Sequence, residues 1–425
     1  MRADLLVHSA AQLITAPPGR KPLLGAELDR PVLIQDAAIA IVGERIEAIG
    51  TSKEILAAYP ERDVPRVVDA RGRMVAPGFV DPHTHLPFAG MREMEFDARA
   101  RGESYESIAA KGGGIRASVR HLASIDEAAL ADRVAARLGT LLRQGVTTVE
   151  AKSGYGLSSA GEMKQLQALR AAQPRSPVEI VPTFLGAHAI PEDYHDRRTT
   201  YVELLTREMI PEVAKAGLAR FCDVWCDRGI YTVEESRTIL LAGKAHGLLP
   251  KLHADELGDA GAAALAAEVG ATSADHLLFA SDPGLAAMAE KGVVAVLLPG
   301  TAFTLGLPYA RARWMVEHGL AVAVATDFNP GSTMSSSMSL ALTLAVTQMK
   351  LSPAEAWMAA TANAASAIGE GARLGRIQPG FQADFCLFDC SDYRHIPYHY
   401  GQEHLHSVVK RGRVVVEGGK AWTCT

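Results

Sequence analysis

Residues 81–85 read Asp81-Pro82-His83-Thr84-His85. They place two histidines, two positions apart, at the end of the apolar run Met74-Val75-Ala76-Pro77-Gly78-Phe79-Val80. On an extended strand, side chains at i and i+2 project to the same face. Where the strand ends, two imidazoles can therefore converge on one point. Neutral imidazole is the commonest metal ligand among side chains, so the spacing points to a metal-holding pair. Two surface histidines would have the same spacing, and distant partners decide between the readings. Such partners follow later apolar runs: Glu150, Lys152 and Tyr155, then His188, His253 with Glu256, His276, and Asp327.

Side chains this far apart meet only if the intervening chain returns each to the same place. Between residues 74 and 368, apolar β-branched runs alternate with amphipathic stretches, which argues for parallel β/α units. Eight strands are expected, over 74–80, 146–150, 178–184, 221–225, 248–252, 273–277, 293–298 and 321–325. Helices between them include 127–143, 159–172, 233–246 and 260–269. Eight such units make a (β/α)8 barrel, whose catalytic residues sit at the carboxyl ends of the strands. Every polar group named above follows its strand at that end.

The two ends of the chain read differently. Leu5-Leu6-Val7, a hairpin over 38–50 turning at Gly43-Glu44, and 66–69 are short strands near the start. Residues 383–388 and 406–416 repeat the style near the end. The expected organisation is an α/β protein with a TIM-like barrel over 71–370 and a small β-sandwich built from 1–70 and 371–425.

Composition narrows the function class. The chain has 425 residues, 48% hydrophobic and 21% charged, within the range of globular enzymes. Net charge is −5 with no basic block, which excludes nucleic-acid and anionic-membrane binding as the main activity. The first residues lack the apolar core and small-residue cleavage site of a secretory signal, so a cytoplasmic location is expected. The five cysteines, Cys222, Cys226, Cys386, Cys390 and Cys424, are an odd number and read as reduced thiols.

The order His83-Thr84-His85, His253, His276 and Asp327, each at a strand end, resembles the amidohydrolase superfamily of metal-dependent barrels. Three nitrogens and one carboxylate suit Zn²⁺, and Fe³⁺ fits the same donors. The superfamily's binuclear members carry a bridging lysine at the end of strand four. Here that strand ends Asp223-Val224-Trp225-Cys226-Asp227. One ion per subunit, held by His83, His85, His253 and Asp327, is therefore expected. Asp327 would also accept a proton, His276 would polarise a carbonyl or hold water, and Glu256 would pass a proton to a departing nitrogen. Lys152 is expected to form an ion pair with Glu150 rather than bind metal.

Longer segments resemble one group within the superfamily, the imidazolonepropionase family of histidine degradation. They are 85–96, Lys111-Gly112-Gly113-Gly114-Ile115, 152–157, 183–188, His253-Ala254-Asp255-Glu256 and 326–332. The resemblance implies hydrolytic opening of 4-imidazolone-5-propanoate, a small molecule, to N-formimidoyl-L-glutamate, by a homodimer. Arg92 has the bidentate reach to hold the substrate carboxylate, the alternative being a surface ion pair with Glu93 or Glu95. The resemblance further implies ring contacts from Tyr155 and His188, and a product site at Asn329, Gly331 and Ser332. Tyr105 is a candidate to close over the site. Two rival readings are another aminohydrolase acting on a cyclic amidine or purine-like base, which would have no use for Arg92, and a metal-free scaffold, which would have lost its ligands.

Overall fold

The computed structural model describes residues 2–103, 107–108, 111–418, 420 and 421. Tyr105 and Cys424 lie outside the described residues. The chain forms two sheets. One contains β1 (Leu5–Thr15), β2 (Val32–Val42), β3 (Arg45–Thr51), β4 (Arg66–Asp69) and β5 (Met74–Pro77). It is completed from the far end of the chain by β14 (Phe385–Phe388), β15 (Leu405–Lys410), β16 (Arg413–Glu417) and β17 (Lys420–Ala421). Its strand order is 17-16-15-14-5-1-2-3, with β4 beside β1. Both ends of the chain thus share one sheet, joined where β5 pairs antiparallel with β14.

The other sheet is the barrel. It consists of β6 (Phe79–Asp81), β7 (Val146–Lys152), β8 (Glu179–Ala187), β9 (Phe221–Cys226), β10 (Leu249–Ala254), β11 (Ser273–His276), β12 (Val294–Leu297) and β13 (Val322–Val324). All neighbours are parallel and in sequence order. Helices on the outside cover these strands, which explains their near-continuous Val, Ala and Leu content. The helices start where the sequence signals it. Thr232 accepts from the Glu235 amide at 3.2 Å while the Glu235 carboxylate accepts from the Thr232 amide at 2.9 Å, a capping box for Val233–Ala245.

β6 and β13 share no ladder. The ring closes through an isolated parallel bridge between Thr84 and Phe328. The His85 amide donates to the Phe328 carbonyl at 3.0 Å, and the Asp327 amide to the His83 carbonyl at 3.1 Å. Below them the buried Asp81 carboxylate accepts from the Thr326 amide at 3.1 Å and the Thr326 hydroxyl at 2.5 Å.

Two expectations change. The run over 74–80 is two strands in different sheets: Met74–Pro77 is in the terminal sheet, and Phe79–Asp81 opens the barrel. Gly78 between them is required by packing, because a Cβ there would lie 2.3 Å from Thr147 Cγ2. Several barrel strands also run further than expected. Lys152 and His253 therefore sit on strands rather than in the loops beyond them. Cys222, Cys226, Cys386 and Cys390 are buried free thiols. Among the described residues, no helix is long and apolar enough to cross a membrane.

The barrel and the terminal segment are tied by charge. At the start of β8, the Glu179 carboxylate accepts from Arg373 and from Arg411 (3.2 Å), with Lys410 at 3.5 Å. Burial pushes the Glu179 pKa up, but Arg373, Lys410 and Arg411 together outweigh it and bring it to about 2. Because the folded value is depressed, the stabilisation is complete above the unfolded pKa and is lost as pH falls through the folded one. Glu179→Gln should therefore cost about 1–3 kcal/mol at pH 7, allowing for partial exposure. The gap should narrow below about pH 4 and vanish near pH 2. Urea denaturation across this range measures it, and a pH-independent gap would rule out the carboxylate charge as its source.

Candidate metal centre

At the carboxyl ends of the barrel strands, ring nitrogens of His83, His85 and His253 lie within 4.8 Å of one another, all buried. Asp327 Oδ1 is 3.5 Å from His83 Nε2 and 3.6 Å from His85 Nε2. The structure thus gathers all four sequence-predicted metal ligands. His276 packs beside them, its ring centroid 5.3 Å from that of His253 and, edge-on, 5.5 Å from that of His83.

The histidines are oriented from behind. His83 Nδ1 donates to Asp275 Oδ2 at 2.6 Å, and His253 Nδ1 to Asp223 Oδ1 at 3.1 Å. An ionised carboxylate only accepts, so Nδ1 carries the proton and the Nε2 lone pair points inward. Both carboxylates contact one buried cation. Lys152 Nζ lies 2.7 Å from Asp223, 2.8 Å from Glu150 and 3.5 Å from Asp275. The expected Lys152–Glu150 pair is present within this larger network. Burial alone would lower the Lys152 pKa, but Asp223, Glu150 and Asp275 outweigh it and hold the amine charged. Asp223 and Asp275 were not singled out in the sequence. The signal available was a carboxylate inside an apolar strand, which rarely persists unpaired.

The donor set fits a cation. His83 Nε2, both His276 ring nitrogens and Asp327 Oδ1 are buried with no hydrogen-bond partner, and such atoms are rarely left unpaired. Burial first, then neighbouring positive charge, keeps His83, His85 and His276 far below the usual histidine range. These rings are neutral, with lone pairs free. Asp327 Oδ2 accepts from Thr301 Oγ1 at 2.5 Å and from Ser332 Oγ at 3.3 Å. That leaves Oδ1 facing the histidines. Asp255, His276 and Asp327 all adopt left-handed backbone, with φ of 50°, 78° and 53°. Non-glycine residues there carry strain of order 1–3 kcal/mol each, and the strain gathers at this site.

A cavity of about 600 Å³ opens above the cluster. Glu256, His276, Tyr155, His188, Arg92, Asn329, Gly331 and Ser332 line it, together with Trp225 and Arg99, which the sequence did not mark. Glu256 Oε1 is 3.6 Å from His276 Nδ1. Burial, reinforced by Asp327 and Asp227, raises the Glu256 pKa well above its ordinary value, which favours its protonated form. His188 Nδ1 donates to the Gly154 carbonyl at 2.9 Å, freeing Nε2 for a ligand. Arg92 forms a bidentate pair with Glu95, at 3.0 and 2.7 Å. The Asn329 amide is engaged within its own loop: it donates to the Asp327 carbonyl and Ser332 Oγ, and accepts from the Gly331 and Ser332 amides.

Residues 74–416 match the family model described as "Amidohydrolase family". The chain is 50% identical over 419 residues to an imidazolonepropionase of Symbiobacterium thermophilum, covering 98% of each chain. It is 48% identical over 418 residues to one of Geobacillus thermodenitrificans, covering 98% of this chain and 99% of that one. Among solved structures, it resembles a zinc-bound adenosine deaminase of Xanthomonas campestris, with TM-score 0.69 and 18% identity over 100% and 95% of the two chains. A triazine hydrolase variant aligns with TM-score 0.76 and 17% identity over 99% and 96%. At such identities these structures show the fold alone.

If Asp275 fixes the His83 ring, Asp275→Ala should weaken metal affinity about 10–100-fold. Competition with a chromogenic chelator measures this directly. Unchanged affinity would mean that His83 keeps its orientation without the carboxylate.

Proposed function

Because the chain belongs to the amidohydrolase family, and within it to the imidazolonepropionases it matches over nearly its full length, we propose that it hydrolyses 4-imidazolone-5-propanoate to N-formimidoyl-L-glutamate. The reaction adds the oxygen of water to the ring carbonyl carbon and breaks the adjoining C–N bond. One proton of the water passes to the departing nitrogen. The observation that carries this reading is one cavity lined by Arg92 and by His85, His253 and Asp327, with His83 packed beneath them.

His83, His85, His253 and Asp327 would hold a single Zn²⁺ or Fe³⁺. When bound, such an ion polarises the carbonyl and lowers the pKa of water from ~15.7 towards ~7. Asp327 accepts the proton released as water attacks. Burial is the main cause that raises its carboxylate pKa to about 6 where no cation is bound. Glu256, protonated in the resting site, donates to the leaving nitrogen and is recharged through the adjacent His276. His276 also donates to the carbonyl oxygen as negative charge grows there. Tyr155 and His188 Nε2 hydrogen-bond the flat ring and fix its face towards Asp327. Arg92 takes the propanoate carboxylate through the guanidinium edge not used by Glu95. Gly331 and Ser332 bind the glutamate end of the product, and Asn329 holds their loop in shape. The protein works as a homodimer in the cytoplasm.

Loss of imidazolone ring absorbance tests the reading. Turnover should fall at least 100-fold after chelation and return with Zn²⁺ or Fe³⁺. Ring loss untouched by metal removal, or turnover of purine-like bases instead, would overturn it. Arg92→Ala should raise KM about 30-fold or more while kcat changes less, since it removes binding common to ground and transition states. An unchanged KM would count against the carboxylate role.

A further inference from the structure

Among the described residues, the cavity carries one arginine that no carboxylate pairs. Arg92 is already matched by Glu95, with side-chain exposures of 7% and 12%. An arginine so paired presents hydrogen-bond donors to a ligand but little net charge. Arg99 lies seven residues on, along the helix Glu93–Ala100, and lines the same cavity. Its Nη2 donates to the Gly331 carbonyl at 3.0 Å. Among the described residues it makes no ion pair with a carboxylate. Burial, and then the neighbouring Arg92, lower its pKa, while Glu95 only partly offsets this.

The two arginines meet at one loop. A Cβ on Gly331 would stand 2.5 Å from Arg92 Nη1, so only glycine lets that guanidinium approach. The Gly331 carbonyl is also what Arg99 grips. A carboxylate entering here finds the donors of Arg92 on one side and the unmatched charge of Arg99 on the other.

We propose that Arg99 is a substrate-binding residue that, with Arg92, clamps the carboxylate of the propanoate tail and selects anionic over neutral substrates. This rests on the reading of the substrate given above. Arg92 supplies geometry and Arg99 supplies the net positive charge that Glu95 removes from Arg92. Release of the Gly331 carbonyl on binding then couples tail recognition to the loop that bears Asn329 and Ser332.

The test uses the metal-loaded enzyme and two stable ring analogues, imidazole-4-propanoate and imidazole-4-propanamide, as competitive inhibitors of imidazolonepropanoate turnover. Wild type should prefer the acid over the amide by at least 30-fold in Ki. Arg99→Gln should cut this preference to under fivefold and raise KM at least tenfold, with kcat within threefold. Arg99→Lys, which keeps the charge, should retain most of the preference. A KM within twofold of wild type and an undiminished preference in Arg99→Gln would overturn the proposal. So would equal losses in both variants, because the Gly331 contact rather than the charge would then be responsible. Wild-type enzyme that turns over no imidazolonepropanoate would instead defeat the substrate reading itself.

Discussion

Behind His83 and His253 stand Asp275 and Asp223, and both carboxylates share the buried ammonium of Lys152. An unpaired charge at this depth would be costly, and the pairing of Glu150, Asp223 and Asp275 with Lys152, and of Asp275 with Lys251 at 3.7 Å, offsets part of that cost. What remains is orientation. Each carboxylate fixes one imidazole tautomer, and Lys152 fixes the carboxylates relative to each other. Strands β7, β9, β10, β11 and the segment after β6 are thereby locked at the end where the cavity opens. The donor cluster is shaped from below before any ligand reaches it from above.

The cavity divides its labours by environment. Glu256 and Asp327 are both buried carboxylates, yet they differ. Thr301 and Ser332 donate to Asp327 and limit the rise of its pKa. Among the described residues Glu256 has no comparable donor to its carboxylate, and the charges of Asp327 and Asp227 push it further up. That difference supports the proposed division, in which Asp327 accepts a proton and Glu256 gives one. At the mouth, Arg92, Glu95 and Arg99 form a graded charge array on a single helix face. The array sits against a loop whose glycine leaves room for it.

Much of this was legible in the sequence, for a physical reason. In a β/α barrel, an apolar run followed by a polar residue marks the strand end where chemistry sits. His83, His85, His188, His253, His276 and Asp327 all obey that rule, and the structure gathers them. The residues that escaped notice break it. Asp223 and Asp275 lie within strands, where a carboxylate reads as an interruption rather than as support for a histidine on another segment. The division of 74–80 between two sheets was equally hidden. The apolar run is continuous through Gly78, and only pairing with β14 on one side and β7 on the other separates its halves. Arg92 was recognisable, and so was an ion pair with Glu93 or Glu95 as its rival reading; that it pairs with Glu95 while lining the cavity, and so the importance of Arg99, needed three-dimensional neighbours.

The seam of the barrel has its own implication. β6 and β13 are stitched by Asp81, Thr326 and a single bridge at Thr84 and Phe328 rather than by a ladder. His83, His85 and Asp327 flank that same stitch from opposite sides. A cation held among them would fasten the first and last staves of the ring to each other. Saturation with metal would then also act as a mechanical clasp. The empty protein should breathe first along this line, exchanging its amide hydrogens there sooner than anywhere else around the circumference.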